Sequence, residues 1–173
     1  SLSLYPAGYF TRDIPITASI TLPDGWKFAT ALETALTSGA TTTFKTVPYE
    51  TLLDSPMDAG LYAKVIDLEA PGPAPVRLDV FADRPELLEA KPEHVAALKA
   101  LVQQAYTAFG SHHYNHYDFL FSLSDRMGGI GVEHHQSSED GSVTTFFTEW
   151  DKNADTRDLL SHEYTHSWNG KFS

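Results

Sequence analysis

Two histidines and a glutamate near the end of the chain have the spacing of a metal site. His162 and His166 are four residues apart, and Glu163 lies between them. On a helix, residues i and i+4 share one face, so both imidazoles can reach one metal ion. Glu163 lies about 100° further round the helix, where its carboxylate can take a proton from water. The pattern predicts a zinc site that activates water for attack on a carbonyl group.

The composition limits the other chemistry that is open to the chain. None of the 173 residues is cysteine, which excludes disulfides, thiol nucleophiles and sulfur ligands to a metal. Any metal must therefore be held by carboxylates and by the eight histidines. The net charge of −11, without a basic stripe, disfavours binding to nucleic acid or to anionic membranes. No apolar run approaches about 18 residues, so we predict no membrane span. The compartment stays open between the cytoplasm and the periplasm or secretion.

The first half of the chain has the pattern of a β protein. Runs of alternating or β-branched residues occur at 14–22, 26–32, 41–47, 61–68 and 76–81. Turn signals separate them, such as Pro23-Asp24-Gly25, and residues 49–57 hold one helical turn. Short strands punctuated by turns predict a β-rich, sandwich-like N-terminal module over residues 1–83.

The pattern changes over residues 84–173, which we predict to be a separate domain. Apolar residues three and four apart indicate an amphipathic helix from Pro92 to Gly110. Strands are predicted at 117–123, around Val132 and at 144–147, with a hairpin turn at 139–141. A last helix, capped near 153–155 and ended near 169–170, carries the His-Glu-His group. The chain is therefore predicted to have an α+β fold.

Other histidines offer alternative ligands. His112, His113 and His116 could form a metal-binding turn, although such a cluster is more often a polar loop. His134 and His135 are adjacent on a predicted strand, so we expect them to point to opposite faces. At most one of the two would then face the cleft.

Longer motifs resemble those of a peptidase family. Residues 162–171 read HEYTHSWNGK, which resembles the HExxHxWNGK segment of the M61 metallopeptidases, the glycyl aminopeptidases. Residues 125–137 read DRMGGIGVEHHQS, which is similar to the Gly-Gly-x-x-x-Glu-His-x-x-Ser stretch of that family. Two softer resemblances lie earlier, in LPDGW at 22–26 and LLDSP at 52–56. Together these segments extend over most of the chain.

The resemblance implies a gluzincin, with a β-rich N-terminal domain before a thermolysin-like catalytic domain. It implies that His162 and His166 hold zinc and that Glu163 is the general base. Glu133 matches the Glu that holds the free amino group of the substrate in related M1 aminopeptidases, with His134 in place of their Asn. A fixed carboxylate that faces an ammonium group selects the end of a peptide.

The glycines before Glu133 are expected to belong to the substrate site. Gly128, Gly129 and Gly131 would let a substrate backbone approach closely. The predicted ligand is a peptide with a free amino terminus, with Gly or Ala as its first residue because the family prefers small residues there.

A gluzincin also needs a third protein ligand, a Glu on the helix after the motif, and the sequence ends at Ser173 before reaching one. We therefore expect an N-terminal part of a longer enzyme, with that ligand and the oxyanion-stabilising group beyond residue 173. Catalytic zinc usually has three protein ligands plus water, so residues 1–173 alone should bind zinc weakly and have little or no activity. The remainder of its own chain would cover an apolar face, whose exposure favours self-association.

Two other functions stay open on the sequence alone. A zincin endopeptidase would use the same His-Glu-His group but has no need of an ammonium anchor at Glu133. A catalytically inert β-sandwich binding module would make no use of Glu163 at all.

Overall fold

The structure, a computed structural model, describes residues 3–127 and 129–172. Within that range, residues up to 60 form small antiparallel sheets. Their strands are β1 (Pro15–Ile16), β2 (Ser19–Thr21), β3 (Lys27–Thr30), β4 (Thr34–Ser38), β5 (Thr41–Phe44), β6 (Val47–Pro48) and β7 (Met57–Gly60). β1 pairs with β6, β3 pairs with β7, and β5 lies between β2 and β4. The single strand predicted at 14–22 is thus two short strands.

A larger sheet follows in the chain. Its strands are β8 (Tyr62–Asp67), β9 (Val76–Ala82), β10 (Tyr117–Leu123), β11 (Ile130–Glu133) and β12 (Ser137–Ser142). Their order across the sheet is β11-β12-β10-β9-β8. β9, β10 and β12 are parallel, while β8 and β11 run antiparallel at the two edges. β10 is buried along its whole length, as expected of a strand covered on both faces.

Three α-helices are described: α1 (Tyr49–Leu53), α2 (Pro92–Phe109) and α3 (Asp158–Thr165). α2 confirms the helix predicted from apolar spacing. Pro92 begins it, and Gly110 ends it with a φ of 69° in the left-handed region, which glycine adopts without steric cost. In the described part of the chain, no helix is both long and apolar enough to cross a membrane.

One hydrophobic core joins the large sheet to α2 and α3. Its residues include Leu78, Val80, Leu98, Val102, Tyr117, Phe119, Phe121, Leu123, Leu160 and Tyr164. Burying each large side chain contributes about 1.5–3 kcal/mol relative to leaving it in water. Because Leu160 and Tyr164 belong to this core, α3 is held against the sheet, and the residues on its other side have a fixed position.

The region from 137 to 147 differs from its prediction. Residues 144–147, predicted as a strand, form turns, and Phe146 and Phe147 are buried there without strand pairing. Residues 139–141, predicted as a hairpin turn, belong instead to β12, which pairs with β10 and β11 on its two sides. Both neighbours satisfy its backbone, so a polar sequence can form an interior strand, although local propensity favours a turn.

The mixed sheet also crosses the predicted division at residues 83 and 84. β8 and β9 precede that division, whereas β10, β11 and β12 follow it, and all five pair in one sheet. The change in architecture comes between β7, which ends at Gly60, and β8, which begins at Tyr62. The fold is α+β, as predicted, with the β-rich part first.

Candidate metal centre

α3 brings the predicted metal ligands together. Nε2 of His162 lies 3.4 Å from Nε2 of His166, and 3.9 Å from Oε1 of Glu163. Two nitrogens bound to one tetrahedral zinc at about 2.05 Å would be about 3.3 Å apart. The two imidazoles therefore fit a single zinc ion with little movement. In the described residues this is the one group of three or more histidine and acidic side chains close enough to share a metal.

The turn after α3 fixes the orientation of His166. The helix ends at Thr165, so His166 is its C-cap rather than an interior residue. Nδ1 of His166 lies 3.0 Å from the carbonyl oxygen of Asn169, to which it donates a hydrogen bond. The proton is thereby placed on Nδ1, and the lone pair of Nε2 is free to face a metal.

Glu163 is buried between α3 and β11. Only 5% of the residue is exposed. A Cβ atom on Gly131 would lie 3.0 Å from Cδ of Glu163, closer still to its Oε1, and 2.7 Å from Cδ1 of Leu159. Gly131 is therefore required because Glu163 itself packs against the strand. At Gly129 a Cβ would meet only the carbonyl oxygen of Gly141, at 3.8 Å, and Gly128 lies outside the described residues.

A cleft of about 590 Å³ opens between β11 and α3. Gly129, Gly131, His162 and Glu163 all line it. β11 lies at the end of the strand order, so one edge of its backbone has no strand partner among the described residues. Such an edge can accept an extended peptide as a further strand.

Glu133 lies two residues beyond Gly131 on the same face of β11, outside the lining of this cleft. A hydrogen bond from its own backbone N–H lowers its pKa, and burial opposes this effect. Nearby His166 and Lys171 lower the pKa further. The carboxylate is thus ionised at neutral pH and close to His166 and Lys171.

A second carboxyl group near Glu163 was missed by sequence reasoning. Asp140 of β12 is fully buried and stands opposite Gly131 in the strand register. Its Oδ2 accepts a 2.7 Å hydrogen bond from Ser138, whereas its Oδ1 has no partner. Burial raises the pKa of Asp140 to about 7, with the charge of Glu163 adding to the rise and the bond from Ser138 opposing it.

The N-terminal region contributes Asp54, which directly follows α1 and which the sequence indicated only as part of the LLDSP segment. Oδ1 lies 3.2 Å from Nδ1 of His134 and 3.4 Å from Nζ of Lys171. Oδ2 accepts bonds from the backbone N–H of His135 at 2.8 Å and from its Nδ1 at 2.6 Å. The prediction that His134 and His135 point to opposite faces is therefore wrong. β11 ends at Glu133, so strand alternation no longer applies to them.

The three histidines predicted as a possible metal-binding turn, at positions 112, 113 and 116, do not converge. Nδ1 of His112 bonds the carbonyl oxygen of Tyr114 at 2.9 Å, and Nδ1 of His116 bonds Asp118 at 2.7 Å. His113 contacts the ring of Phe172. This arrangement is that of a polar loop rather than a metal-binding turn.

Comparison with known proteins identifies the first part of the chain. Residues 1–61 match the Peptidase M61 N-terminal domain, and that span ends where the small sheets end. The predicted resemblance to M61 is thereby confirmed for the N-terminal region. None of the curated proteins compared with the chain gives a significant match.

Solved structures share the fold over most of the chain. An aminopeptidase N family protein from Idiomarina loihiensis aligns with 93% of this chain at 23% identity and a TM-score of 0.73. The M1 zinc metallopeptidase of Deinococcus radiodurans aligns with 90% at 14% identity and a TM-score of 0.50. A mutant of the Deinococcus radiodurans enzyme bound to a Tyr-Ser-Ala substrate aligns with 90% at 16% identity and a TM-score of 0.54. The chain covers 28% of the Idiomarina chain and 34% of each Deinococcus chain.

Proposed function

We propose that this chain is part of a zinc-dependent aminopeptidase that removes small N-terminal residues, Gly or Ala, from peptides. The premises are the match of residues 1–61 to the Peptidase M61 N-terminal domain and the close approach of His162 to His166. The observation that carries the proposal is the 3.4 Å separation of the two Nε2 atoms beside a buried Glu163. The preference for Gly or Ala rests on the family resemblance.

His162 and His166 would hold the metal, and Glu163 would act on the attacking water. A bound zinc ion supplies a Lewis acid and lowers the pKa of a water molecule to about 7. Glu163 would take the proton of that water and return it to the leaving amine. The Asn169 carbonyl keeps His166 in the tautomer that this role requires. Because the chain spans 28% of its Idiomarina relative, we place the third ligand, a Glu, beyond residue 173 of a longer protein.

The peptide would lie along β11 with its amino terminus at Glu133. Residues two apart on a strand are separated by about 6.7 Å. One extended residue takes up about 3.5 Å, and an ammonium–carboxylate contact adds about 2.8 Å. Glu163 packs against Gly131. The distance along β11 from Gly131 to Glu133 thus leaves room for one substrate residue between the scissile bond and the ammonium group that Glu133 would hold. This supports an aminopeptidase rather than an endopeptidase.

The test uses the complete natural protein that contains this sequence, supplied with zinc. Hydrolysis of Gly and Ala anilides is compared with that of N-acetylated peptides, with and without a chelator. Glu163→Gln should abolish the activity, because the amide cannot accept the proton. Glu149→Gln is the matched control, since that Glu lies in the turns before α3 and pairs with Lys152 instead.

Each outcome separates the functions considered. The aminopeptidase would be supported if the free anilides are hydrolysed and a chelator stops the reaction. Glu163→Gln should then remove this activity, and Glu149→Gln should preserve it. Cleavage of acetylated peptides would indicate an endopeptidase. No metal-dependent cleavage by the folded, zinc-supplied protein would refute both and leave a binding module.

A further inference from the structure

Asp54 connects the N-terminal domain to the end of the peptide-binding edge. It follows α1, within the M61-type region, and its side chain is about one quarter exposed. Its partners are His134 and His135, immediately after Glu133, and Lys171, which follows the metal-binding helix. The backbone N–H of that same Lys171 donates to the carbonyl oxygen of His166 at 3.1 Å. One carboxylate thus touches both segments that flank the metal site.

The first consequence concerns the open edge of β11. β11 ends at Glu133, and the N–H of His134 bonds Ser137 on the β12 side at 2.9 Å. The next backbone N–H, that of His135, bonds Oδ2 of Asp54 at 2.8 Å. The first two backbone donors after Glu133 are therefore both occupied, one of them by Asp54, so a peptide added along β11 would find no free donor in that segment.

The second consequence concerns the charges around Glu133. Lys171 lies close enough to Glu133 to lower its pKa, and an unpaired lysine there would compete with a substrate ammonium group. Asp54 pairs with that lysine at 3.4 Å. Burial raises the pKa of Asp54, but bonds from His134 and His135 outweigh this and hold it well below its ordinary range. Asp54 is therefore ionised at neutral pH.

We propose that Asp54 is a positioning and specificity-determining residue, which ends the peptide-binding edge after Glu133 and keeps Lys171 away from that carboxylate. The proposal rests on the proposed aminopeptidase function. It assigns the N-terminal domain a direct part in restricting cleavage to the first residue of a peptide. Removing Asp54 should weaken binding of the amino terminus and relax the exclusion of longer or blocked peptides.

The experiment is a comparison of Asp54→Ala with the parent in the complete protein. KM for Ala anilide should rise about tenfold, the loss expected for one charged hydrogen-bonded partner, while kcat changes less than about threefold. The rate on an acetylated peptide relative to Ala anilide should rise. Adding Lys171→Met to Asp54→Ala should recover part of the KM, because the competing cation is gone. A loss of packing alone would not produce that recovery.

Two controls make the result interpretable. Asp24→Ala removes an exposed carboxylate from the turn between β2 and β3 and should leave KM unchanged. Asp54→Asn keeps the shape of the side chain, and it replaces the alanine variant if thermal unfolding shows that the latter does not fold.

The failures of the two proposals are distinguishable. An active parent whose KM and substrate ratio are unchanged in both Asp54 variants would overturn the role of Asp54 alone. Equal losses of kcat on all substrates, with no recovery by Lys171→Met, would also overturn it. A parent without chelator-sensitive cleavage would overturn the proposed function.

Discussion

Replacing Gly131 with alanine tests whether Glu163 must lie where the structure places it. The new methyl group would stand 2.7 Å from Cδ1 of Leu159 and 3.0 Å from Cδ of Glu163, whereas ordinary contact begins at 3.4 Å. Gly131 lines the same cleft as Glu163, so the carboxylate can give way by moving into that cleft. The substitution therefore displaces the proposed general base without changing its chemistry.

The magnitude follows from that displacement. The carboxylate must withdraw by about 1 Å to restore van der Waals distance, and a misplacement of that size can cost about a hundredfold in rate. Overpacking of this kind costs about 1–3 kcal/mol in free energy of unfolding. We expect kcat to fall about a hundredfold while the protein remains folded and zinc binding is retained, because the three atoms nearest the new methyl group belong to Glu163 and Leu159 rather than to the histidines.

The assay is chelator-sensitive hydrolysis of Ala anilide by the complete protein, alongside thermal unfolding and zinc titration. Val132→Ala is the matched control, because Val132 is the next residue of β11 and directs its side chain to the opposite face from Gly131. The reasoning is refuted if Gly131→Ala keeps activity within about threefold of the parent, or if Val132→Ala loses as much.

Three further predictions follow from the site. Glu133→Ala should raise KM for free-amino substrates about tenfold and spare acetylated ones in a steady-state assay; equal effects on both would contradict the anchor. His162→Ala should weaken zinc binding, measured by titration of the complete protein. The loss should exceed the roughly 10–100-fold caused by removing a group that only hydrogen-bonds a metal ligand. Residues 1–173 alone should also bind zinc weakly. Burial raises the pKa of Asp140 from 3.8 to about 7, so this carboxyl group ionises at lower pH in the unfolded chain than in the folded one. As pH rises between these values, the free energy of unfolding of the parent should therefore fall relative to that of Asp140→Asn. If the difference in free energy of unfolding between the two proteins stays constant across that range, this prediction is contradicted.

Local spacing was enough to predict that His162 and His166 lie close together, and to predict the longest helix. The four-residue separation of His162 and His166 determines that they share a face of any helix, whatever packs around it. In the same way, apolar spacing and the flanking Pro92 and Gly110 predicted α2 almost to the residue. Both are properties of a single element, and its sequence carries them.

The surroundings of the ligands depend on contacts that local spacing does not encode. The polar segment 137–142 becomes an interior strand because β10 and β11 satisfy its backbone on both sides, and this places the buried Asp140 beside Glu163. Asp54 meets His134 across a sequence separation of 80 residues. Gly131 contacts Glu163 because the strand order places β11 at the edge of the sheet next to α3.

The sequence by itself therefore determined which residues could bind zinc and act as the base, since their relation is set by helix geometry. Only the tertiary structure decided that Glu163 is buried against Gly131, that His166 is oriented by the Asn169 carbonyl, and that the N-terminal domain reaches the end of β11 through Asp54. Those relations arise from strand order, register and packing, which bring together residues that no local pattern connects.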